Sequence, residues 1–188
     1  MSNIDGAKVA FLVATEGVEQ IELTQPWSEV ESAGGTPVLV STEDTEVQGF
    51  DHLDKADTFE VDAVVDDVSV DDFDALVLPG GVANPDQLRM HEGAVAFTKA
   101  FVESGKPVAA ICHAPWTLIE AGCVDGRVLT SWPSLQTDIR NAGGTWRDEE
   151  VVVCDHGPGP LVTSRNPGDL EAFGRETLAA IENARVSA

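Results

Sequence analysis

The sequence KPVAAICHAPWTLIEAG, at residues 106–122, decides the fold of this chain. Its apolar run, PVAAI, has the length of one buried strand. The apolar residues of PWTLIEAG recur at helical spacing, and a glycine ends them. Pro115 suits the first turn of such a helix, where its missing N–H needs no partner. The stretch therefore predicts a strand, a sharp turn and a helix.

Cys112 and His113 lie at the predicted turn, between the small residues Ala110 and Ala114. A reactive side chain between a strand and a helix is the nucleophile-elbow pattern, and small neighbours let the backbone bend there. The dipole of the following helix is expected to lower the pKa of the thiol and to favour thiolate. The alternative is a structural cysteine, because free cysteine is among the most buried residue types. Since adjacent side chains in a turn diverge, we expect a direct Cys112–His113 hydrogen bond to be difficult.

Apolar runs that alternate with helical patterns predict an α/β fold. A strand, a helix and a second strand within residues 8–41 form a βαβ unit, which implies a parallel sheet. We predict a single domain, residues 1–188, built as a three-layer sandwich with a mainly parallel, flavodoxin-like sheet. Residues 15–20 are expected to form a loop, residues 43–72 a hairpin or an irregular segment, and Ser134 the N-cap of a helix. The predicted strands are 8–14, 36–41, 73–78, 107–111, 128–130, 151–154 and 161–163, and the later helices are 84–90, 92–104, 134–142 and 169–184.

The chain is strongly acidic, with 33 acidic and 11 basic residues and a formal net charge of -22. Such a field repels nucleic acids and anionic membrane surfaces, so neither is expected as a partner. The carboxylates are spread along the chain rather than gathered in a tail. This pattern predicts a protein that works in high salt, where screening weakens the repulsion, and it suggests a halophilic source. An ordinary acidic protein is the alternative.

Cysteine usage and the short apolar runs predict a cytoplasmic protein. The three cysteines form no CxxC pair and no even set, which indicates reduced thiols. No apolar stretch approaches the roughly 20 residues of a membrane span, and the first one, residues 9–14, is too short for a signal peptide. No Walker loop, GxGxxG or paired metal-ligand spacing occurs, so we expect no cofactor and no metal.

Three predicted strand ends carry groups suited to chemistry. Ligands bind at the carboxyl ends of parallel strands, and Glu19, the pair Gly80–Gly81 and Cys112 each follow such an end. Glu19 is either a proton shuttle beside the thiol or a solvated carboxylate at a helix start. The glycines either expose backbone N–H groups to an oxyanion or form a plain tight turn. Asp86 is either the acid that orients His113 or a helix N-cap.

Seven motifs lie between residues 19 and 167, and the likeness that they carry extends over roughly residues 8–181. They are EQIEL at 19–23 with Pro26, DALVLPGG at 74–81, NPDQLR at 84–89, KPVAAICH at 106–113, DIRNAG at 138–143, EEVVV at 149–153 and TSRNP at 163–167. Together they resemble the ThiJ/PfpI family of the class I glutamine-amidotransferase-like superfamily. The likeness is strongest to the PfpI branch, which is described as intracellular proteases and as glyoxalase- or deglycase-like stress proteins.

The resemblance implies roles for five residues. Cys112 is the nucleophile, Glu19 is the acid hydrogen-bonded to its sulfur, and Gly81 and His113 supply oxyanion-hole N–H groups. In this branch the acid that completes a Cys–His–acid set comes from a neighbouring subunit, at the position of Asp86. The resemblance therefore also implies a homo-oligomer, either a dimer or a hexamer.

The implied function is that of a cysteine-dependent hydrolase or lyase without a cofactor. Its substrates are small reactive aldehydes or their protein adducts, as in a glyoxalase or deglycase, or peptides, as in an intracellular protease. The alternative is a redox-sensing stress protein or chaperone in which Cys112 is oxidised. Two positions depart from the family pattern: Ala114 stands where glycine is usual, and Asp86 stands where glutamate is frequent.

Overall fold

Residues 3–187 are described by a computed structural model, and this part of the chain contains twelve strands and six α-helices. The strands are β1 (Lys8–Val13), β2 (Glu16–Glu19), β3 (Thr36–Ser41), β4 (Glu46–Asp51), β5 (Asp54–Glu60), β6 (Ala63–Val64), β7 (Ala75–Leu78), β8 (Val108–Ile111), β9 (Val128–Leu129), β10 (Thr145–Trp146), β11 (Val151–Cys154) and β12 (Leu161–Ser164). The helices are α1 (Gln20–Ser32), α2 (Ala83–Leu88), α3 (Glu92–Glu103), α4 (Pro115–Glu120), α5 (Gln136–Asn141) and α6 (Leu170–Ser187). Of the predicted domain 1–188, residues 1, 2 and 188 lie outside the described residues, and the assignment of one domain stays a prediction.

A seven-stranded sheet forms the centre of the fold, in the order β11-β12-β8-β7-β1-β3-β6. Neighbouring strands are parallel except for the antiparallel pair of β11 with β12. The run β3-β1-β7-β8-β12 has the flavodoxin-like strand order, so the predicted sheet is confirmed. This order places the carboxyl ends of β1, β7 and β8 side by side, and the segments that follow these strands therefore meet.

Helices cover both faces of the sheet, because the side chains of each strand alternate between two cores. In β1, Leu12 packs into one core with Phe101 of α3, whereas Phe11 packs into the other with Phe173 of α6. Helices α3, α4 and α5 contribute to the first core, and α1 and α6 to the second. The predicted three-layer sandwich is confirmed. Within residues 3–187, no helix is both long and apolar enough to cross a membrane.

Two local predictions are wrong, and one is resolved. Residues 15–20 are not a loop, because 16–19 form β2 beside β4 and α1 begins at Gln20. A parallel partner that lies beyond α1 and β3 in the chain gives no local signal. Ser134 is not an N-cap, since it lies in the 3-10 turn Pro133–Leu135 and α5 begins at Gln136. Between residues 43 and 72, β4 and β5 form the hairpin that was one of two alternatives.

The β4–β5 hairpin sets like charges directly opposite each other. In this antiparallel pair Glu46 faces Glu60, and Asp51 faces Asp54. All four residues are exposed. Opposed like charges destabilise a pair of strands, and salt weakens the effect because the screening length falls from about 10 Å at 0.1 M to about 3 Å at 1 M. The acidic surface therefore lowers the stability of the folded protein at this hairpin.

Thermal stability is expected to increase with salt. We expect the unfolding midpoint to be several degrees higher in 2 M than in 0.05 M sodium chloride, as measured by calorimetry. Glu60→Lys converts the pair with Glu46 into an opposite-charge pair and should stabilise the protein by roughly 0.5–1 kcal/mol in dilute buffer. This gain should shrink in 2 M salt. Equal stability of the wild-type protein in both buffers, or a salt-independent gain from Glu60→Lys, would contradict the prediction.

Candidate active site

Cys112 lies at a sharp turn between β8, which ends at Ile111, and α4, which begins at Pro115. Its φ of 63° is in the left-handed region, which costs a residue other than glycine about 1–2 kcal/mol. Two backbone hydrogen bonds hold this conformation. The Cys112 N–H donates to the carbonyl of Ser164 at 3.1 Å, and its carbonyl accepts from the N–H of Trp132 at 2.9 Å. The predicted nucleophile elbow is confirmed.

The thiol contacts the imidazole of the next residue. The distance from Cys112 Sγ to His113 Nδ1 is 3.1 Å, so the expectation that these side chains diverge is wrong. Backbone N–H groups of Gly81 and His113 also face the sulfur. Burial raises the pKa of the Cys112 thiol, the charge of Glu22 raises it further, and the two N–H groups act in the opposite direction. The predicted lowering of the thiol pKa is wrong, because desolvation outweighs the dipole of α4, a helix of six residues.

Glu22, rather than Glu19, is the acid beside the thiol. It is fully buried in the first turn of α1, and its carboxyl faces the Cys112 thiol and the backbone of Gly80 and Gly81. Neither carboxyl oxygen completes a hydrogen bond with another described residue. Burial raises the pKa of Glu22 to about 8, and the charge of Glu19 raises it too. The carboxyl is therefore mostly protonated at neutral pH.

Glu19 faces the tip of the β4–β5 hairpin. Its Oε2 accepts a hydrogen bond from the backbone N–H of His52 at 3.2 Å and lies 3.7 Å from His52 Nδ1. The predicted contact with sulfur fails because Glu19 ends an extended strand, whereas Glu22 projects from a helix. Within residues 3–187, Glu19, Asp51 and His52 bring their potential ligand atoms within 4.8 Å of one another. Carboxylates and imidazole suit transition metals such as zinc, and the expected absence of a metal stays a prediction.

The glycine pair after β7 lets the backbone approach the thiol. Gly81 has a φ of 84°, which few other residues adopt without strain. A side chain at Gly80 would collide with the carboxyl of Glu22 and with Cys112, and one at Gly81 would collide with the backbone of β2. Both positions therefore need glycine if the N–H groups are to lie near the sulfur.

Asn84 is a residue of the site that the sequence did not single out. It is fully buried, and its amide donates to the carbonyls of Pro79 at 2.9 Å and Gly80 at 3.1 Å. Its Oδ1 accepts from the N–H of Ala14 at 2.7 Å. Asn84 thus ties the end of β1 to the glycine turn. In the sequence, an asparagine at the start of a predicted helix is typical of a helix cap. That pattern gives no indication that Asn84 links β1 to the glycine turn.

The imidazole of His113 is held between aromatic rings. It stacks on Trp132 with a centroid distance of 5.6 Å and an interplanar angle of 22°, and Trp116 lies 5.2 Å away. Its Nε2 lies 3.5 Å from Oγ of Ser134. Burial lowers the pKa of His113 to about 4, so the ring is neutral at neutral pH. Asp86 is exposed on α2 and makes no hydrogen bond to His113 of the same chain, so its contact from a neighbouring subunit stays a prediction.

The thiol opens on a cavity of about 390 Å³. Among residues 3–187, no lysine or arginine lines this cavity. Its volume is at the small end of the range for ligand pockets, which favours a small molecule or one side chain. The apolar lining residues are Phe50, Leu53, Val82, Ala83, Trp132 and Pro167, and the acidic ones are Glu16, Glu19 and Glu22.

A thiol at a strand–helix turn, a protonated carboxyl and convergent backbone N–H groups define the class of α/β proteins with a cysteine at a nucleophile elbow. The chain belongs to the DJ-1/PfpI family, whose model matches residues 7–180. The predicted resemblance is confirmed. One departure from the family pattern is accommodated without strain, because Ala114 has ordinary helical angles, with φ -53° and ψ -31°.

Relatives of this chain match it over nearly its whole length. General stress protein 18 of Bacillus subtilis is 45% identical over 179 residues, which are 94% of this chain and 99% of that protein. Deglycase PfpI of Pyrococcus furiosus is 42% identical over 175 residues, which are 93% of this chain and 99% of that protein. Among solved structures, the ThiJ/PfpI domain protein from Brachyspira murdochii has the same fold, with a TM-score of 0.85 and 20% identity over 95% of this chain and 98% of that chain.

The stability of the protein is expected to depend on pH through Glu22. Because folding raises this pKa from 4.5 to about 8, the protonated carboxyl favours the folded state fully below pH 4.5, and the contribution is lost as pH rises through 8. The free energy of unfolding should therefore fall by about 1.4 kcal/mol per pH unit in this window, relative to Glu22→Gln. Urea unfolding between pH 5 and 9 measures the difference. Glu31→Gln, an exposed change on the same helix, should keep the wild-type profile. Parallel profiles for the wild-type protein and Glu22→Gln would contradict the prediction.

Proposed function

We propose that this protein is a cysteine-dependent enzyme that converts small 2-oxoaldehydes, and their adducts on proteins, into 2-hydroxy acids. The observation that carries the proposal is the fully buried carboxyl of Glu22, which lies beside the Cys112 thiol at one cavity and whose pKa is raised to about 8 by that burial. A carboxyl that holds a proton near neutral pH is suited to move protons on and off a bound substrate. The name deglycase, given to a relative of 42% identity, supports the same chemistry.

In the proposed reaction, the sulfur of Cys112 bonds to the aldehyde carbon. The thiol proton leaves to solvent, and Glu22 gives its own proton to the carbonyl oxygen. A hemithioacetal forms, with the backbone N–H groups of Gly81 and His113 stabilising the oxygen during the attack. The Glu22 carboxylate then takes the proton from this carbon and passes it to the adjacent carbonyl carbon, while the proton of the new hydroxyl group moves to the adjacent oxygen, which gives a thioester of the hydroxy acid. Glu22 takes its own proton back from water once the product has left. Water hydrolyses the thioester, releases the acid and restores the thiol. The hydroxy acid has the composition of the aldehyde plus one water molecule. The reaction is therefore an internal redox change, and no electron acceptor is needed.

For a protein adduct, the same sulfur attacks the former aldehyde carbon, which is bonded to the modified side chain. The amine or thiol of that side chain then leaves with a proton. A cavity of about 390 Å³ accepts such a side chain together with its three-carbon adduct. The proposal includes a homo-oligomer, a dimer or a hexamer, in which Asp86 approaches a neighbouring copy.

The test uses three substrates with the purified protein. Methylglyoxal, a methylglyoxal adduct of N-acetylcysteine and a fluorogenic peptide are incubated separately, and lactate, free N-acetylcysteine and cleaved peptide are measured. The proposal expects lactate from the first two substrates and no peptide cleavage. Peptide cleavage without lactate would indicate an intracellular protease instead. A protein inert toward all three would refute the enzymatic function.

A redox sensor is the second candidate. The N–H groups that face the Cys112 sulfur would also stabilise the oxygens of a sulfinic acid at that position. The raised pKa of the thiol weighs against this function, because thiolate is the form that peroxide oxidises. After mild peroxide treatment, mass spectrometry should find Cys112 oxidised no faster than Cys123. Preferential oxidation of Cys112 would favour the sensor.

A further inference from the structure

We propose that His113 and Ser134 form a proton relay that connects the buried thiol of Cys112 to solvent, in which Ser134 is a positioning residue for the imidazole. The relay rests on the proposed function only in that Cys112 must lose its proton in order to react. It adds a residue, Ser134, that lies outside the cavity and outside the motifs shared with the family.

The three side chains form a chain of contacts within one subunit. Cys112 Sγ lies 3.1 Å from His113 Nδ1, and His113 Nε2 lies 3.5 Å from Ser134 Oγ. The second distance is at the outer limit of a hydrogen bond, and contacts of this kind at catalytic sites shorten when substrate binds. Cys112 and His113 are each 6% exposed, whereas Ser134 is exposed. The contacts therefore lead from a buried sulfur to the surface.

A relay is needed because neither neighbour of the thiol can keep its proton. Glu22 already carries a proton at neutral pH, since burial raises its pKa to about 8. His113 resists a second proton, since burial lowers its pKa to about 4. A neutral imidazole can, however, accept a proton on one nitrogen while it releases one from the other.

Three proton movements release the thiol proton to water. The thiol proton of Cys112 moves to Nδ1 of His113, the Nε2 proton moves to Oγ of Ser134, and the hydroxyl proton of Ser134 passes to water. The ring stays neutral throughout. It ends with its proton on Nδ1, where the N–H donates to the thiolate, while Nε2 accepts from the Ser134 hydroxyl. Protonation of the thiolate after product release runs the same steps in reverse.

A serine suits both states of the ring, whereas a carboxylate suits only one. A hydroxyl both donates and accepts, so Ser134 can bind Nε2 with or without its proton. A carboxylate only accepts and would hold the proton on Nε2. Asp86 from a neighbouring subunit, which the family resemblance implies at this nitrogen, is therefore an alternative with the opposite effect on the relay.

The surrounding rings keep the imidazole in place and add no competing acid or base. Trp132 stacks on one side and Trp116 packs on another. Two charged side chains contact the Trp116 ring. Arg89 lies 5.8 Å from the Trp116 ring, and Asp138 accepts from its Nε1 at 2.9 Å.

The test measures how fast Cys112 reacts with iodoacetamide at pH 7, by mass spectrometry of the peptide that contains it. Ser134→Ala should slow this reaction roughly five- to tenfold, because the ring then lacks its hydrogen-bond partner. Ser134→Thr keeps the hydroxyl and should stay within about twofold of the wild-type rate. Ser28→Ala, at an exposed serine of α1, is the control and should react at the wild-type rate.

Unchanged alkylation in Ser134→Ala, or no recovery in Ser134→Thr, would overturn the relay. A loss in Asp86→Ala without one in Ser134→Ala would also overturn it and would assign Nε2 to the neighbouring subunit. Lactate formation has no part in this measurement. A protein that forms no lactate but whose alkylation depends on Ser134 would refute the proposed function and leave the relay standing.

Discussion

Replacing Cys112 with alanine is expected to reduce lactate formation from methylglyoxal to the uncatalysed rate, a loss of at least about 1,000-fold. The loss follows because the described residues that line the cavity include no second thiol that could form the covalent intermediate. The protein should still fold, since alanine tolerates the turn as well as cysteine does and removes only one buried atom. The measurement compares initial rates of lactate formation at equal protein concentration, with circular dichroism to check the fold.

Cys123→Ala is the matched control for Cys112→Ala. Cys123 is a second free thiol, half-buried, and it does not line the cavity. Its variant should keep the wild-type rate. If Cys112→Ala and the wild-type protein form lactate equally fast, the elbow is not the catalytic site. If Cys123→Ala loses the activity instead, the reaction takes place elsewhere on the molecule.

Glu22→Gln is expected to lower the same rate by roughly 100- to 1,000-fold, the usual contribution of a positioned acid or base. Glutamine matches the carboxyl in size and is neutral, as the protonated acid is, so the buried site keeps its packing. It cannot release and take up a proton. The effect should therefore appear mainly in kcat, with little change in KM.

The variant Glu19→Gln distinguishes the role of Glu19 from that of Glu22. Glu19 contacts His52 and acts on Glu22 only through its charge, so its loss should lower the rate less than about tenfold. It should also move the basic side of the pH–rate profile to lower pH, because the charge of Glu19 raises the pKa of Glu22. A larger loss in Glu19→Gln than in Glu22→Gln would return the role of proton shuttle to Glu19.

Much of the fold can be predicted from the sequence because it depends on local patterns. Buried parallel strands appear as uninterrupted apolar runs, and the run before Cys112 is one of them. The stretch at residues 106–122 predicts the turn and its nucleophile for the same reason. The strand β2 is missed because its hydrogen bonds come from β4, a partner that no local pattern indicates.

The acid of the site could not be chosen from local pattern. Glu19 and Glu22 stand three residues apart beside the same predicted strand end, and both are good candidates on spacing alone. Where β2 ends and α1 begins decides which carboxyl faces the Cys112 thiol, and that boundary depends on pairing with β4. The role of Asn84 could not be predicted either, because its hydrogen-bond partners come from the ends of two different strands.

By itself the sequence determined the layer architecture, the elbow and the position of Cys112 at its turn, because periodicity and turn chemistry act over a few residues. Only the tertiary structure decided which acid faces Cys112 and how its thiol ionises. It also decided that His113 lies within reach of both the sulfur and Ser134. These properties depend on burial and on distances between segments that are remote in the chain. Desolvation raises the pKa values of Cys112 and Glu22 and lowers that of His113, and desolvation exists only once the core has closed around them.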